Sequence, residues 1–283
     1  MNIKRTKRHT GPLDVLGRVF LIAYSAAIVY PLLWTLSSSF KANADLFDNI
    51  FAPPSVWHFE NYANAWNKAN ISTYFMNTVL ITLGSLLLMI LLTSMAAYVL
   101  ARYNFRLRGV FEFLYVSGIM IPGIVGIIPL FIQLKGFGML DNRFTMIIVN
   151  TVNMMPFSVF MLISFFKTIP TEISEAGVID GCGKASLFAF VMLPMATPGL
   201  IPVLIIQFMN CWSEIYFSMI LLSSTANKTL QIGLYNIQKV QQQRADYVTM
   251  FAAVVIVIIP SILVYVLFQR RIIQGVSMGA VKG

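Results

Sequence analysis

Few residues in this chain have the types that do chemistry. Asp and Glu together number 11 of 283, and His only 2. His9 and His58 have no Cys or Asp partner at metal-ligand spacing, so no metal site is expected. No Ser-His-Asp set and no facing pair of carboxylates stands out, so no catalytic residue is expected. Gly181-Cys182-Gly183-Lys184 imitates part of a phosphate loop. That motif requires G-x-x-x-x-G-K-[ST] after a buried strand. Here Val178 stands where the first glycine belongs, and Ala185 follows the lysine. Nucleotide binding by this chain is not expected. Cys182 and Cys211 are too few and too isolated for a disulfide framework.

Two stretches keep their interest. Residues 169–200 read IPTEISEAGVIDGCGKASLFAFVMLPMATPGL. Pro170 and Thr171 open a helix, and Glu172 and Glu175 put negative charge in its first turns, where the dipole favours it. Gly181 and Gly183 break the helix after Asp180. A second helix is expected over 185–191, ending before Pro194 and Pro198. Such a helix–glycine turn–helix unit either packs on its own bundle or docks into another protein. The second stretch is NCWSEIYF, with Glu214 inside an apolar run. An intramembrane carboxylate is costly and marks a candidate site. Glu214 either faces a polar translocation path with Asn210, Trp212 and Tyr216, or stands near a helix end and caps a neighbour. Trp and Tyr rings suit sugars, whose C–H faces they cover.

The elements that position these residues follow from composition. Apolar residues make up 58% of the chain and charged residues 11%, against about 45–50% and roughly 25% in a soluble domain. The mean hydropathy is +0.76. This excludes disordered, coiled-coil and disulfide-rich classes and calls for lipid as the main solvent. Six transmembrane helices are expected, over about 19–36, 71–101, 110–134, 144–166, 199–222 and 250–268. Glu112, at the edge of the third, is expected to pair with Arg106 or Arg108. The fold class is all-α, a polytopic membrane protein in a single domain over 1–283, with a loop at 167–198 and a tail at 269–283.

The net charge of +9 hints at nucleic acid, but the basic residues lie between apolar runs. With both termini in the cytoplasm, inside segments hold 13 Lys and Arg and outside segments 7. That is the positive-inside pattern. It places the 167–198 loop in the cytoplasm, and no nucleic-acid partner is expected.

The 167–198 loop resembles the EAA loop of permease subunits of bacterial ABC importers. Glu175, Ala176, Asp180, Gly181, Leu193, Pro194 and Pro198 stand at that family's spacing, while Gly177 and Cys182 replace the usual alanine. Further segments are similar to carbohydrate-uptake permeases: Tyr30-Pro31, Trp34, Ser39-Phe40-Lys41, Pro53-Pro54 and Phe59-Glu60-Asn61-Tyr62; Ala101-Arg102-Tyr103; Pro122 with Pro129; Thr229-Leu230 with Gly233-Leu234; and the ending QRRIIQGVSMGAVKG. On these residues the chain looks like a MalG-like subunit of a sugar ABC importer. The resemblance implies a heterodimer with a second, MalF-like permease in the lipid bilayer of the bacterial plasma membrane. It implies two cytoplasmic ATP-binding subunits holding ATP and Mg, and an extracytoplasmic solute-binding protein that delivers sugar. Glu175, Ala176, Gly177, Asp180, Gly181, Leu193 and Pro194 would form the ATPase-coupling surface. Gly279, Ala280 and Lys282 would reach the ATPases, unless the tail is a disordered terminus. The alternatives are the same machine with another polar cargo such as glycerol phosphate, or an ion-coupled secondary transporter. The latter usually shows a longer chain and internal repeats.

Overall fold

The computed structural model describes residues 11–244 and 246–280, and among them the side chains of all but 68, 240–244 and 270–280. In chain order the helices are α1 (Pro12–Ser38), α2 (Asn43–Asp48), α3 (Glu60–Ala63), α4 (Ile71–Arg102), α5 (Arg108–Met120), α6 (Ile127–Gly136), α7 (Arg143–Thr168), α8 (Thr171–Ile179), α9 (Lys184–Ser186), α10 (Leu193–Met195), α11 (Thr197–Trp212), α12 (Tyr216–Leu221), α13 (Leu230–Arg244) and α14 (Tyr247–Ala280). A π turn follows α3 at Asn64–Lys68, a second covers Leu187–Met192, and a 3-10 turn covers Gly123–Gly126. No strand occurs among the described residues. Among the described residues four stretches are long and apolar enough to cross a membrane: α1, α4, α7 and Tyr247–Gln269 of α14. Two bent pairs bring the total to as many as six. The chain divides into two compact units, Met1–Lys68 with Gln238–Val255 and Ala69–Ile237 with Ile256–Gly283, where the sequence suggests one domain.

In the first unit α1 starts at Pro12, whose missing N–H costs nothing in a first turn. Ser38 is the only buried residue of α1. The chain then folds back. Asn61 Nδ2 donates to the carbonyls of Ser39 and Lys41, each at 2.9 Å. Trp34 Nε1 donates to the Ile50 carbonyl at 2.9 Å. The Phe40 ring stands 5.0 Å from Trp57, 5.2 Å from Phe59 and 5.0 Å from Tyr62. At the start of α14, the amide N–H of Val248 donates to Asn43 Oδ1 at 3.3 Å.

In the second unit α4 packs along α7. The buried stripe of α4 includes Thr78, Thr82, Ser85, Thr93 and Ala97, spaced three to eight residues apart on one face. Small side chains let two membrane helices approach closely. Ser85 Oγ donates to the Ile147 carbonyl at 3.4 Å, and Thr151 Oγ1 donates to the Ser85 carbonyl at 3.3 Å. At the α4 N-terminal end, Asn77 accepts from Arg143 Nη1 at 3.0 Å and donates to the carbonyls of Ala226 and Lys228 at 2.8 and 2.9 Å. At the other end Arg102 donates to the Ile169 carbonyl. Arg108 Nε donates to Glu112 Oε1 at 3.0 Å, the pairing expected for Glu112.

The structure corrects three expected helix boundaries. The third span is broken: α5 stops before Pro122, and the path bends by 93° into Gly123–Gly136. Proline removes a helix donor and disfavours helical backbone at the residue before it. The fifth span, expected over 199–222, stops at Trp212 and restarts at Tyr216. The second loop helix runs through Pro194 instead of ending before it, and the 74° bend comes between Met195 and Thr197. A π turn shifts the hydrogen-bond register by one residue, which accommodates a proline that has no N–H to pair.

Asp141 ties the α7 start to the loop after α12. Its backbone is left-handed, with φ 54°. Its Oδ1 accepts from the amides of Ser223 and Ser224, both at 3.0 Å, and its carbonyl accepts from Asn227 at 2.6 Å. Burial pushes its pKa up, but the donors on Ser224, Ser223 and Asn227 outweigh that and hold it below the usual carboxylate value.

A pKa depressed in the fold gives stabilisation that is whole above the unfolded value of about 4 and is lost as pH falls through the lower folded value. Hydrogen exchange at Ser223 and Ser224 should therefore quicken on acidification below about pH 4, and Asp141→Asn should abolish that acid step. At the α7–α11 contact, a Cβ on Gly199 would stand 2.2 Å from Phe165 Cγ. Gly199→Ala should cost about 1–3 kcal/mol by overpacking. The readout is a lowered thermal midpoint in detergent, partly restored by Phe165→Ala.

Candidate functional site

The segment joining α7 to α11 is built around α8. The helix ends in a Schellman turn: the amide of Gly181 donates to the Val178 carbonyl at 3.0 Å and that of Cys182 to the Gly177 carbonyl at 2.9 Å. Gly181 has φ +85°, the left-handed backbone this turn requires and glycine adopts without strain. The chain then returns through α9 and the second π turn beneath α8. Gly177 is buried against this return, and a Cβ there would come within 2.6 Å of Leu187 Cδ1. The glycine that departs from the EAA pattern thus permits a close approach. Ser174 Oγ donates to Met192 Sδ at 3.4 Å on the same inner face.

The outer face of α8 presents Glu172, Glu175, Ala176, Val178, Ile179 and Asp180 to solvent. Ile179 is 85% exposed. Carboxylates flanking bare aliphatic side chains form a surface suited to a protein partner. Beside it a groove of about 450 Å³ is lined by Tyr98, Arg102, Tyr103, Glu175, Ile179 and Leu187, among others. Lys184 Nζ lies 5.8 Å from the Tyr103 ring centroid. Leu193 and Pro194 belong to α10, on the return path.

A polar cavity of about 230 Å³ opens between α7 and the end of α11. Asn150, Asn153 and Met154 line one side, and Gln207, Asn210, Cys211 and Glu214 the other. Gln207 Nε2 donates to the Met154 carbonyl at 3.3 Å and to Ser158 Oγ at 3.1 Å, while its Oε1 accepts from Asn210 at 3.1 Å. Asn150 Nδ2 donates to Cys211 Sγ at 3.3 Å. Glu214 spans the helix break. Its Oε1 accepts from the Phe217 amide at 2.6 Å, and its Oε2 accepts from the Ser218 amide at 3.0 Å and hydroxyl at 2.6 Å. Glu214 caps the next helix, as the second alternative has it, and it also lines the cavity.

Of the residues singled out by sequence, Asn210 and Glu214 meet at the cavity. Trp212 does not. Its indole is buried between Phe75 and Phe208, with Nε1 donating to the Val257 carbonyl at 3.1 Å. Tyr216 is 62% exposed and does not line the cavity. Asn150, Asn153 and Gln207 were not singled out. Their signal was a carboxamide pair three apart in one span and another three before Asn210 in the next. Gly279 and Ala280 fall in the last turn of α14, where side chains are not described, and Lys282 lies outside the described residues. No group of three metal-ligating side chains occurs among the described residues. His58 instead pairs with Glu60 at 2.5 Å.

Truncating the cap should release α12. Glu214→Ala leaves two amides without an acceptor and is expected to cost about 1–2 kcal/mol. Glu214→Gln should cost less, because one amide oxygen remains. Thermal midpoints and hydrogen exchange at Phe217 and Ser218 check both.

Comparison with known proteins agrees with this architecture. Residues 89–278 match the family described as binding-protein-dependent transport system inner membrane component. The chain is 39% identical over 267 residues to the diacetylchitobiose uptake system permease protein NgcG of Streptomyces coelicolor, covering 94% of this chain and 88% of that one. It is 32% identical over 285 residues to the arabinooligosaccharides transport system permease protein AraQ of Halalkalibacterium halodurans, covering 98% and 100%. Its fold matches a chain from the crystal structure of a bacterial ABC transporter involved in the import of the acidic polysaccharide alginate. There the TM-score is 0.83 at 23% identity, over 94% of this chain and 98% of that one. The chain belongs to the family of binding-protein-dependent transport system inner membrane components, and is a multi-pass permease subunit of a plasma-membrane ABC import system.

Proposed function

We propose that this permease forms half of the translocation path for an oligosaccharide and is driven through α8. The observation that carries the reading is the α8 surface: Glu175, Val178 and Ile179 exposed on a helix whose inner face is locked by Gly177 against Leu187. A rigid helix with an outward acidic and aliphatic face transmits a push from whatever grips it. In this reading both termini and the 167–198 segment are cytoplasmic, and α8 docks on one of two ATP-binding subunits that hold ATP and Mg. A MalF-like permease completes the heterodimer, and an extracytoplasmic solute-binding protein delivers the cargo. Closure of the ATPases moves α8, and the bundle exchanges inward for outward opening, a two-state equilibrium biased by ligands. Leu193 and Pro194 act from behind, by setting the return of the chain. Gly279, Ala280 and Lys282 reach the ATPase interface.

The cavity of Asn150, Asn153, Gln207, Asn210 and Glu214 is this chain's share of the path. Carboxamides give paired donors and acceptors that suit hydroxyl-rich ligands. Among the described residues no lysine or arginine lines it, so no cation there would balance the charge of a phosphorylated cargo. Support for sugar comes also from relatives named for diacetylchitobiose and arabinooligosaccharide uptake.

The assembled importer, reconstituted with its partners and binding protein, tests the coupling. Glu175→Lys reverses a charge on the docking face, and Gly181→Asp strains the turn by about 1 kcal/mol. Each should abolish ATP-driven sugar uptake while the chain still inserts and folds. Wild-type assembly together with wild-type uptake in both variants would exclude α8 as the docking element.

A further inference from the structure

We infer that the cavity between α7 and the end of α11 is an acceptor-lined, anion-excluding filter, with Glu214 as the residue that sets its selectivity. It takes cargo through hydrogen-bond donors, the hydroxyls and amines of a sugar, and turns away carboxylated sugars. The inference rests on the reading of this cavity as part of the translocation path.

The polarity follows from how each side chain is held. Gln207 is 2% exposed, and its Nε2 meets the Met154 carbonyl, which can only accept. Its Oε1 is thereby turned toward Asn210, which must answer with Nδ2. That leaves Asn210 Oδ1 on the other side of the carboxamide, where no donor among the described residues reaches it. Asn150 is 4% exposed and uses Nδ2 on Cys211 Sγ. No donor among the described residues reaches its Oδ1 either. A buried carbonyl oxygen left in this state calls for a molecule that donates to it.

Glu214 adds a full charge to these acceptors. Its contacts are the Phe217 amide, the Ser218 amide and the Ser218 hydroxyl, donors all three, which is the pattern of an ionised carboxylate. Oε1 takes only one of the three and keeps a free lone pair. Among the described residues no lysine, arginine or histidine lines the cavity, and no ion pair reaches Glu214. Within this chain the charge is therefore unbalanced, and low-dielectric walls focus its field into the cavity.

The consequences differ by cargo. A hydroxyl can turn its proton to any of these oxygens, and an ammonium offers three donors and opposite charge. The spare N–H groups of Asn150, Asn153 and Asn210 serve ring and glycosidic oxygens. A sugar carboxylate brings acceptors and like charge to a place that already has both.

The test uses the assembled importer in lipid nanodiscs. The background is Cys182→Ser with Cys211→Ser, whose hydroxyl keeps an acceptor for Asn150. Asn153→Cys then places a thiol in the cavity, at a side chain with no hydrogen bond among the described residues. Two methanethiosulfonates of similar size are compared, the cationic trimethylammonium-ethyl reagent and the anionic sulfonatoethyl reagent. Rates are read from the mass of this chain, with and without ATP. Their ratio is divided by the ratio for free cysteine, so that thiol reactivity cancels. The cation should be favoured by about tenfold or more. Glu214→Asp should keep that bias, and Glu214→Gln should remove it, which separates the charge from the cap. Reaction with both reagents at the free-cysteine ratio would overturn the filter and leave a water-filled path standing. A bias that survives Glu214→Gln would overturn the role of Glu214. If neither reagent reacts in either state, a protein group fills the cavity, and the filter falls together with the path.

Discussion

Inside a bilayer no water completes a hydrogen bond and no hydrophobic force pulls helices together. The second unit is organised by that constraint. α4 and α7 meet through small and hydroxyl side chains, and Ser85, Ile147 and Thr151 exchange hydrogen bonds across the seam. Asn77 uses its carboxamide at one end on Arg143 and the loop before α13. Arg102 holds the Ile169 carbonyl at the other. The seam thus fixes where the chain leaves α7, and so where α8 begins.

The same constraint governs the breaks. At Pro122, at Ala196 and after Trp212 the chain abandons regular helix within apolar sequence. Each break frees backbone groups that need partners. After Trp212 the partner is Glu214, whose carboxylate takes the first amides of α12. That explains an acid in an apolar run without giving it a reaction to perform. The break also brings Glu214 to the cavity that Gln207 and Asn210 line from the preceding turns. The carboxylate that caps a helix and the carboxylate that lines the polar cavity are the same one, which is why its removal is costly for the fold.

α8 shows how backbone freedom becomes mechanics. Glycine costs helix stability relative to alanine, about 1 kcal/mol. At Gly177 that cost is offset by contact with Leu187, and at Gly181 by a turn that L side chains resist. The result is a short helix seated firmly on its return strand of chain, with its carboxylates and aliphatics facing outward. In the proposed coupling, a compliant helix here would absorb a displacement instead of passing it on.

By itself the sequence determined the solvent of the chain, its helical class and its family. Long apolar runs and scarce charge leave a polytopic helical protein as the solution. Short motifs in order along the chain, from Tyr30-Pro31 to the ending after Gln269, identify a transport permease. The helix of 171–179 and its glycine stop were also legible, because capping and left-handed turns are local properties of a few residues. Local rules did not reveal that the fifth span breaks beside Glu214, or that Trp212 packs in the core while Asn150, Asn153 and Gln207 share a cavity. Those outcomes depend on which faces of two distant helices meet, and hydropathy is blind to facing. Nor was it legible that Lys41 would be buried beneath the loop after α1, its ammonium on the carbonyls of Asn49 and Ile50, since a lysine in an exposed segment is ordinarily solvated. Only tertiary structure decides such cases, because a polar group's place is set by the partners that folding brings to it.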